Sequence, residues 1–426
     1  MLVGILFIIF FALAMLGLPI FMCLGVSSFL VGQLAGISAT NVVQQMYRGL
    51  DTFPLLAVPF FVFMGKVMNQ GKITDLLIDL ANSLVGHIKG ALGHINIVVS
   101  MFFAGVSGSS VADTAGVGGI LIPAMIKDGY SRRLSAVVTA ASSTLGSIIP
   151  PSIMMVVYGA TAGVSIGRLF LGGVIPGILI GLFQMVVVYI YAKKYGYGAL
   201  RKRISFKNIF SSIKPAFLAL MVPVIIIGGI VGGFFTATEA AMIASFYTLI
   251  LVFFVYKNLN FKKIVNVFKD TIILYAQPLF CAAAAMSFGW MLAYLDAPQK
   301  ITILIEPVLY NPTSTLLVVA TLFLIVGTFM DAIPAIIIFL PIVKYFEKVA
   351  GIDPTHMGVI VTLALALGLT TPPYGLCLLL ASKIAKIKVM DAFKGMLPFY
   401  LAFITILVLA IIFPQIILMV PSYVFG

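Results

Sequence analysis

The chain has 426 residues, 62% of them hydrophobic and only 9% charged, with 26 Lys and Arg against 13 Asp and Glu for a net charge of +13. A soluble fold of this length could not bury so much apolar side chain, and no polar stretch is long enough for a separate soluble domain, so the bilayer is its solvent. The basic residues sit in short loops between apolar runs, which reads as membrane orientation rather than a nucleic-acid partner.

The first apolar run starts at Met1 with no basic region or small-residue cleavage site before it, which predicts a retained helix. Apolar runs of roughly 20 residues are long enough to span hydrocarbon. In the first part of the chain they predict spans at about 2–16, 18–34, 53–70, 134–161 and 168–192. In the second part they predict spans at about 214–232, 237–256, 271–295, 357–382 and 397–420. Two further stretches, about 92–126 and 314–343, are interrupted midway by GVSGSSVADTAGVGG and GTFMDAIP, and these read as re-entrant hairpins. Cys23, Cys281 and Cys377 lie far apart in apolar segments, with core packing as the expectation.

Orientation tests this drawing, because a hairpin returns to its own side and shifts the parity of every later span. With the loop from Lys193 to Lys207 in the cytoplasm, 21 of the 26 basic residues fall inside; Arg48, Arg168, Lys300, Lys344 and Lys348 fall outside. A repeat also emerges. Gly105 and Gly327 are 222 residues apart, and so are the pairs Pro150-Pro151 and Pro372-Pro373. Five spans per half is an odd number, so the halves face opposite ways. The expected fold is an all-α polytopic membrane protein of two inverted repeats, residues 1–205 and 206–426, each with five spans and one hairpin. Inverted repeats with broken helices are typical of secondary transporters.

A helix interrupted at mid-membrane exposes backbone groups that must meet protein, water, ion or substrate. Pro150 and Pro151 cannot donate to the carbonyls of Gly146 and Ser147, nor Pro372 and Pro373 to those of Gly368 and Leu369, so four carbonyls are predicted to be freed. Beside them stand the hydroxyls of Ser107, Ser109 and Ser110 in the first half and Thr328, Thr370 and Thr371 in the second. Neutral oxygens of this kind suit Na⁺, and the half-helix N-termini at the same breaks favour an anion, especially a carboxylate. The bland alternative is that Pro and Gly only kink packed helices. Asp113 and Asp331 lie in the two hairpin breaks, where an intramembrane acid reads as an ion or proton site or as a helix cap. Glu239 in TATEAA is placed near the interface, and Trp290 reads as an anchor or core residue. Gly228 with Gly232 and Gly229 with Gly233 predict a close helix–helix approach. No GxxxxGK[ST] loop occurs, GVSGS falls short of a nucleophile elbow, and His87, His94 and His356 have no metal spacing.

Several motifs, taken in order, resemble the large membrane subunit of tripartite ATP-independent periplasmic (TRAP) transporters: DTFPLLAVPFFVFMG, GVSGSSVADTAGVGG, PPSIMMVVYGA, LFLGGVIPG, TATEAA, GTFMDAIPAI and GLTTPPYG. The resemblance implies a sodium-driven, elevator-type carrier of carboxylates such as C4-dicarboxylates or sialic acids. It also implies a small four-helix membrane partner, here expected as a separate chain, a periplasmic substrate-binding protein, and a place in the bacterial inner membrane with both termini periplasmic. By motif, one sodium site would use Ser107 and Ser109 with Gly146 and Ile149, and the second Gly327, Thr328 and Met330 with Thr370 and Thr371. Substrate would lie between the breaks, with Ser109, Ser110, Asp113, Pro151, Asp331 and Pro373 as candidate contacts. No organic cofactor is expected. Two other readings compete: a stand-alone Na⁺- or H⁺-coupled carboxylate carrier, and, more remotely, an intramembrane aspartyl protease built on the two aspartates.

Overall fold

The computed structural model describes residues 2–51, 53–198, 206–297, 299–300 and 311–426. The expected junction of the two halves, at 205 and 206, begins outside the described residues, as do Arg201, Lys202 and Arg203 of the basic loop. All of the regular structure described is helical, and six helices are long and apolar enough to cross a membrane.

The first half runs α1 (Leu2–Met15), α2 (Ile20–Leu34), α3 (Ala39–Leu50), α4 (Ala57–Gln70), α5 (Ile73–Val85), α6 (Ala91–Ser107), α7 (Ser110–Lys127), α8 (Arg132–Ser143), α9 (Ile153–Ala162) and α10 (Ile166–Tyr195). The second runs α11 (Phe206–Val231), α12 (Ala237–Ile250), α13 (Phe261–Tyr294), α14 (Pro312–Gly327), α15 (Ala332–Ala350), α16 (Pro354–Gly368), α17 (Leu376–Ala385), α18 (Val389–Ile412) and α19 (Gln415–Phe425). The starts follow local chemistry. Ser38, Ser109, Ser131, Ser152 and Ser165 each cap the helix that follows by accepting an amide hydrogen, and Thr236 with Glu239 forms a full capping box on α12.

Helix starts recur at one spacing: α3 and α13 at 39 and 261, α7 and α15 at 110 and 332, α8 and α16 at 132 and 354. The helix pairs α6–α7 and α14–α15 occupy the two stretches read as hairpins. The spans drawn at 134–161 and 357–382 are each broken where the proline pairs predict, into α8 and α9 and into α16 and α17, with the proline pairs in the gaps. Helices α3 and α5 were not anticipated. Each is an amphipathic segment of 12 or 13 residues with polar side chains, too short and too polar for a span-length search. The predicted span at 271 begins ten residues earlier, at Phe261, because Asn260 caps α13 there.

Without water in the hydrocarbon region, polar side chains fasten one helix to another. Thr238 donates to Phe53 O at 2.8 Å and Ser245 to Phe60 O at 2.9 Å, tying α12 along the α4 segment. The expected glycine-mediated helix approach is not found. A Cβ on Gly228 or Gly233 would meet nothing within 4 Å, while on Gly229 it would meet only the Phe235 ring, four residues past the end of α11. The three cysteines are buried and free, as core residues. His94 and His356 bond the carbonyls of Lys89 and Ala410, and no metal-ligating cluster occurs among the described residues.

Candidate functional site

Each hairpin tip rests on one broken helix. In the first half, Gly108 O accepts from Ile153 N at 3.1 Å, across the gap between α8 and α9. In the second, Thr328 O accepts from Tyr374 N at 2.9 Å, across the gap between α16 and α17. The approach is closest at two glycines, Gly146 and Gly368, which occupy the same place in the 222-residue spacing. A Cβ on Gly146 would lie 3.1 Å from the Ser109 backbone, and one on Gly368 would lie 2.8 Å from Gly327 Cα. Only a residue without a side chain lets backbone meet backbone here.

Hydroxyls fill the first contact. Ser110 and Ser147 share a 2.6 Å hydrogen bond, Ser110 N donates to Ser147 Oγ at 3.3 Å, and Ser109 N donates to Ser107 Oγ at 3.4 Å. At the second contact, Thr328 donates to Ile325 O at 2.7 Å, Thr370 to Leu367 O at 2.8 Å and Thr371 to Leu367 O at 3.1 Å. A hydroxyl whose proton is committed to its own helix turns its lone pairs outward, which is the presentation a cation needs. Tyr400 on α18 adds support by donating to Thr370 O at 2.6 Å.

The freed-carbonyl expectation needs correction. Ser147 O accepts from Ser152 Oγ at 2.5 Å, Gly368 O from Thr371 N at 2.9 Å and Leu369 O from Cys377 N at 2.9 Å. Tight turns and a cap satisfy what the prolines leave. Of the four carbonyls named, that of Gly146 accepts no hydrogen bond among the described residues.

Between the two contacts lies a cleft of about 300 Å³. Four helix N-termini reach it: Ser109 to Val111 at α7, Ile153 and Met154 at α9, Ala332 to Pro334 at α15, and Leu376 at α17. Ser147, Tyr275 and Tyr374 also line it, and no Lys or Arg does. Asp331 is its one formal charge, and its carboxylate caps α15 by accepting from Ala332 N at 2.8 Å.

The predicted residues separate accordingly. Ser109, Ser110 and Asp331 line the cleft; Asp113, Pro151 and Pro373 do not. Asp113 is fully buried one turn into α7, with both oxygens lacking a hydrogen bond among the described residues, and Ser109 rather than Asp113 caps that helix. Pro151 is buried behind the first tip, with its carbonyl 2.8 Å from where a Cβ on Gly108 would stand. Pro373 is exposed on its turn. Among the sodium candidates, Ser107 and Ser109 come to the first contact with Gly146, and Gly327, Thr328, Thr370 and Thr371 meet around Gly368. Ile149 is half-buried in the first gap, and Met330 is buried just before the α15 cap. Sequence reasoning missed the Ser147 side chain and Tyr400. For Ser147, a hydroxyl beside the proline pair was the available signal; for Tyr400, thirty residues from its partner, there was none.

The family model for the DctM component of tripartite ATP-independent periplasmic transporters matches residues 7–416. The chain is 40% identical over 383 residues to the sialic acid TRAP transporter large permease protein SiaM of Vibrio cholerae, covering 90% of each. It is 36% identical over 386 residues to the C4-dicarboxylate TRAP transporter large permease protein DctM of Pseudomonas aeruginosa, covering 91% of this chain and 90% of that one. The solved structure of Neisseria gonorrhoeae MtrF, described within a class of antimetabolite efflux pumps, aligns with a TM-score of 0.60 at 13% identity over 89% of this chain and 84% of that chain, so the two share a fold.

Proposed function

This chain belongs to the DctM component family of TRAP transporters, a large permease of a transport system rather than an enzyme, and from that premise we propose that it carries a carboxylate inward, coupled to sodium. The protease reading falls with the family. Substrate reaches the cleft from a periplasmic binding protein, and a small membrane subunit completes the complex in the bacterial inner membrane, with both termini periplasmic. The two halves are inverted repeats, and the hairpins with their broken helices form the mobile part of an elevator.

What supports the substrate class is the convergence of four helix N-termini on a cleft without a basic side chain. Each N-terminus carries roughly half a positive charge, partly met by the caps at Ser109, Ser152 and Asp331, and the amides left over can hold a carboxylate through backbone alone. Sodium fits the oxygen-only surroundings of the two contacts. Ser107, Ser109 and Gly146 would hold one ion and Gly327, Thr328, Thr370 and Thr371 the other. An ion at either contact neutralises lone pairs that would otherwise repel the anion, which links the two binding events.

The test is uptake of labelled sialic acid and C4-dicarboxylate into proteoliposomes holding this chain, its small subunit and a binding protein. Replacing external sodium with choline should reduce uptake to background; undiminished uptake would rule out sodium coupling. Equal uptake by this chain alone would favour a stand-alone carrier.

A further inference from the structure

A second cavity, of about 280 Å³, opens between α8, α10 and α18, at their ends that the charge bias assigns to the cytoplasm. We infer that it binds the phosphodiester of an anionic phospholipid. Arg133 and Ser131 enter it from the start of α8, Tyr191, Tyr195 and Tyr197 from the end of α10, and Gly395 from α18.

The Arg133 guanidinium lies against α18, since a Cβ on Gly395 would stand 3.0 Å from Arg133 Nε. It makes no hydrogen bond or ion pair among the described residues, so its donor fork is available to an oxyanion. The tyrosines form a continuous wall. Tyr130 stacks on Tyr197 at 5.2 Å between centroids, Tyr195 stands 5.7 Å from both Tyr197 and Tyr191, and Lys194 Nζ lies 5.4 Å from the centre of the Tyr195 ring. Hydroxyl-bearing and guanidinium side chains together with the apolar Leu134 and Val137 line the cavity, a mix that matches a phosphate attached to an acyl-bearing glycerol.

Position and charge favour a lipid over a free ion. The site stands where the 30-residue apolar helix α10 ends in tyrosines, the level at which aromatic side chains meet headgroups. The segments that bound the cavity carry Arg132, Arg133, Lys193, Lys194 and Lys394 against Asp128 and Asp391, five cations to two acids in sequence. A lipid held there would join the first broken helix to α10 and α18, independently of what the cleft carries.

The experiment titrates the purified full chain in neutral detergent with short-chain phosphatidylglycerol, phosphatidylcholine or inorganic phosphate, reading the thermal midpoint and retained adducts by native mass spectrometry. Phosphatidylglycerol should raise the midpoint and stay bound, while phosphatidylcholine and inorganic phosphate leave it unchanged. Arg133→Gln should weaken phosphatidylglycerol binding about tenfold or more, and Tyr195→Ala should weaken it too, with Arg133→Lys retaining part. Equal stabilisation by inorganic phosphate would overturn the lipid assignment, as would wild-type phosphatidylglycerol affinity in both Arg133→Gln and Tyr195→Ala.

Discussion

Gly368→Ala is the sharpest probe of the hairpin contacts. Gly368 ends α16 and Gly327 ends α14, and the two helix ends cross glycine on glycine. The added methyl would lie 2.8 Å from Gly327 Cα and carbonyl carbon and 3.0 Å from its oxygen, all backbone atoms with no side-chain rotation to relieve them. The second tip must then move off its seat, straining the Thr328 O to Tyr374 N bond of 2.9 Å. Overpacking of this kind costs about 1–3 kcal/mol. If that cost falls on the arrangement that binds sodium, apparent sodium affinity drops by roughly 5- to 150-fold. The assay is uptake against sodium concentration in proteoliposomes, normalised to inserted protein. Gly327→Ala places its methyl 3.3 Å from Gly368 Cα and should be milder. Gly119→Ala meets nothing within 4 Å and should match the wild type. Wild-type sodium dependence in Gly368→Ala would refute the reasoning.

Three further outcomes are expected. Ser147→Ala removes the partner of both the Ser110 hydroxyl and the Ser110 amide at the cleft, and should reduce transport about tenfold through a loss of roughly 1–2 kcal/mol, read as uptake at saturating sodium. Tyr400→Phe deletes the 2.6 Å bond to Thr370 O; the half-saturating sodium concentration should rise a few-fold, for about 0.5–1.5 kcal/mol, with maximal uptake retained. Thr236→Ala breaks the capping box of α12 and should lower thermal stability in detergent by about 1 kcal/mol, leaving sodium dependence unchanged because α12 lies outside the hairpins and broken helices.

The helix pairs α6–α7 and α14–α15 were legible because small and polar residues interrupt their apolar runs, and the bounds 92–126 and 314–343 fall near them. Helices α3 and α5 were not, since a search for long apolar runs passes over short segments that lie with one polar face. The breaks at Pro150 and Pro372 could be read from chain chemistry, but the partners of the freed carbonyls could not. A cap from Ser152 and the reach of Cys377 N to Leu369 O depend on how the chain turns after each proline pair. Asp113 shows the same limit. Its type and depth gave it the same standing as Asp331, yet helical phase turns it into the packing of α7 while Asp331, at a helix start, opens on the cleft.

On the proposed reading the cleft holds its anion through amide ends, and this has a consequence once the cargo departs. A lysine or arginine in that position would be left as a stranded unit charge, and an isolated ion in a low-dielectric interior costs tens of kcal/mol by Born solvation. Peptide dipoles are permanent, shared over several bonds and neutral across each helix, so nothing comparable is left behind. The one carboxylate present, Asp331, already rests on the positive end of α15. In the proposed cycle the unloaded form would therefore return without a counter-ion for a basic side chain.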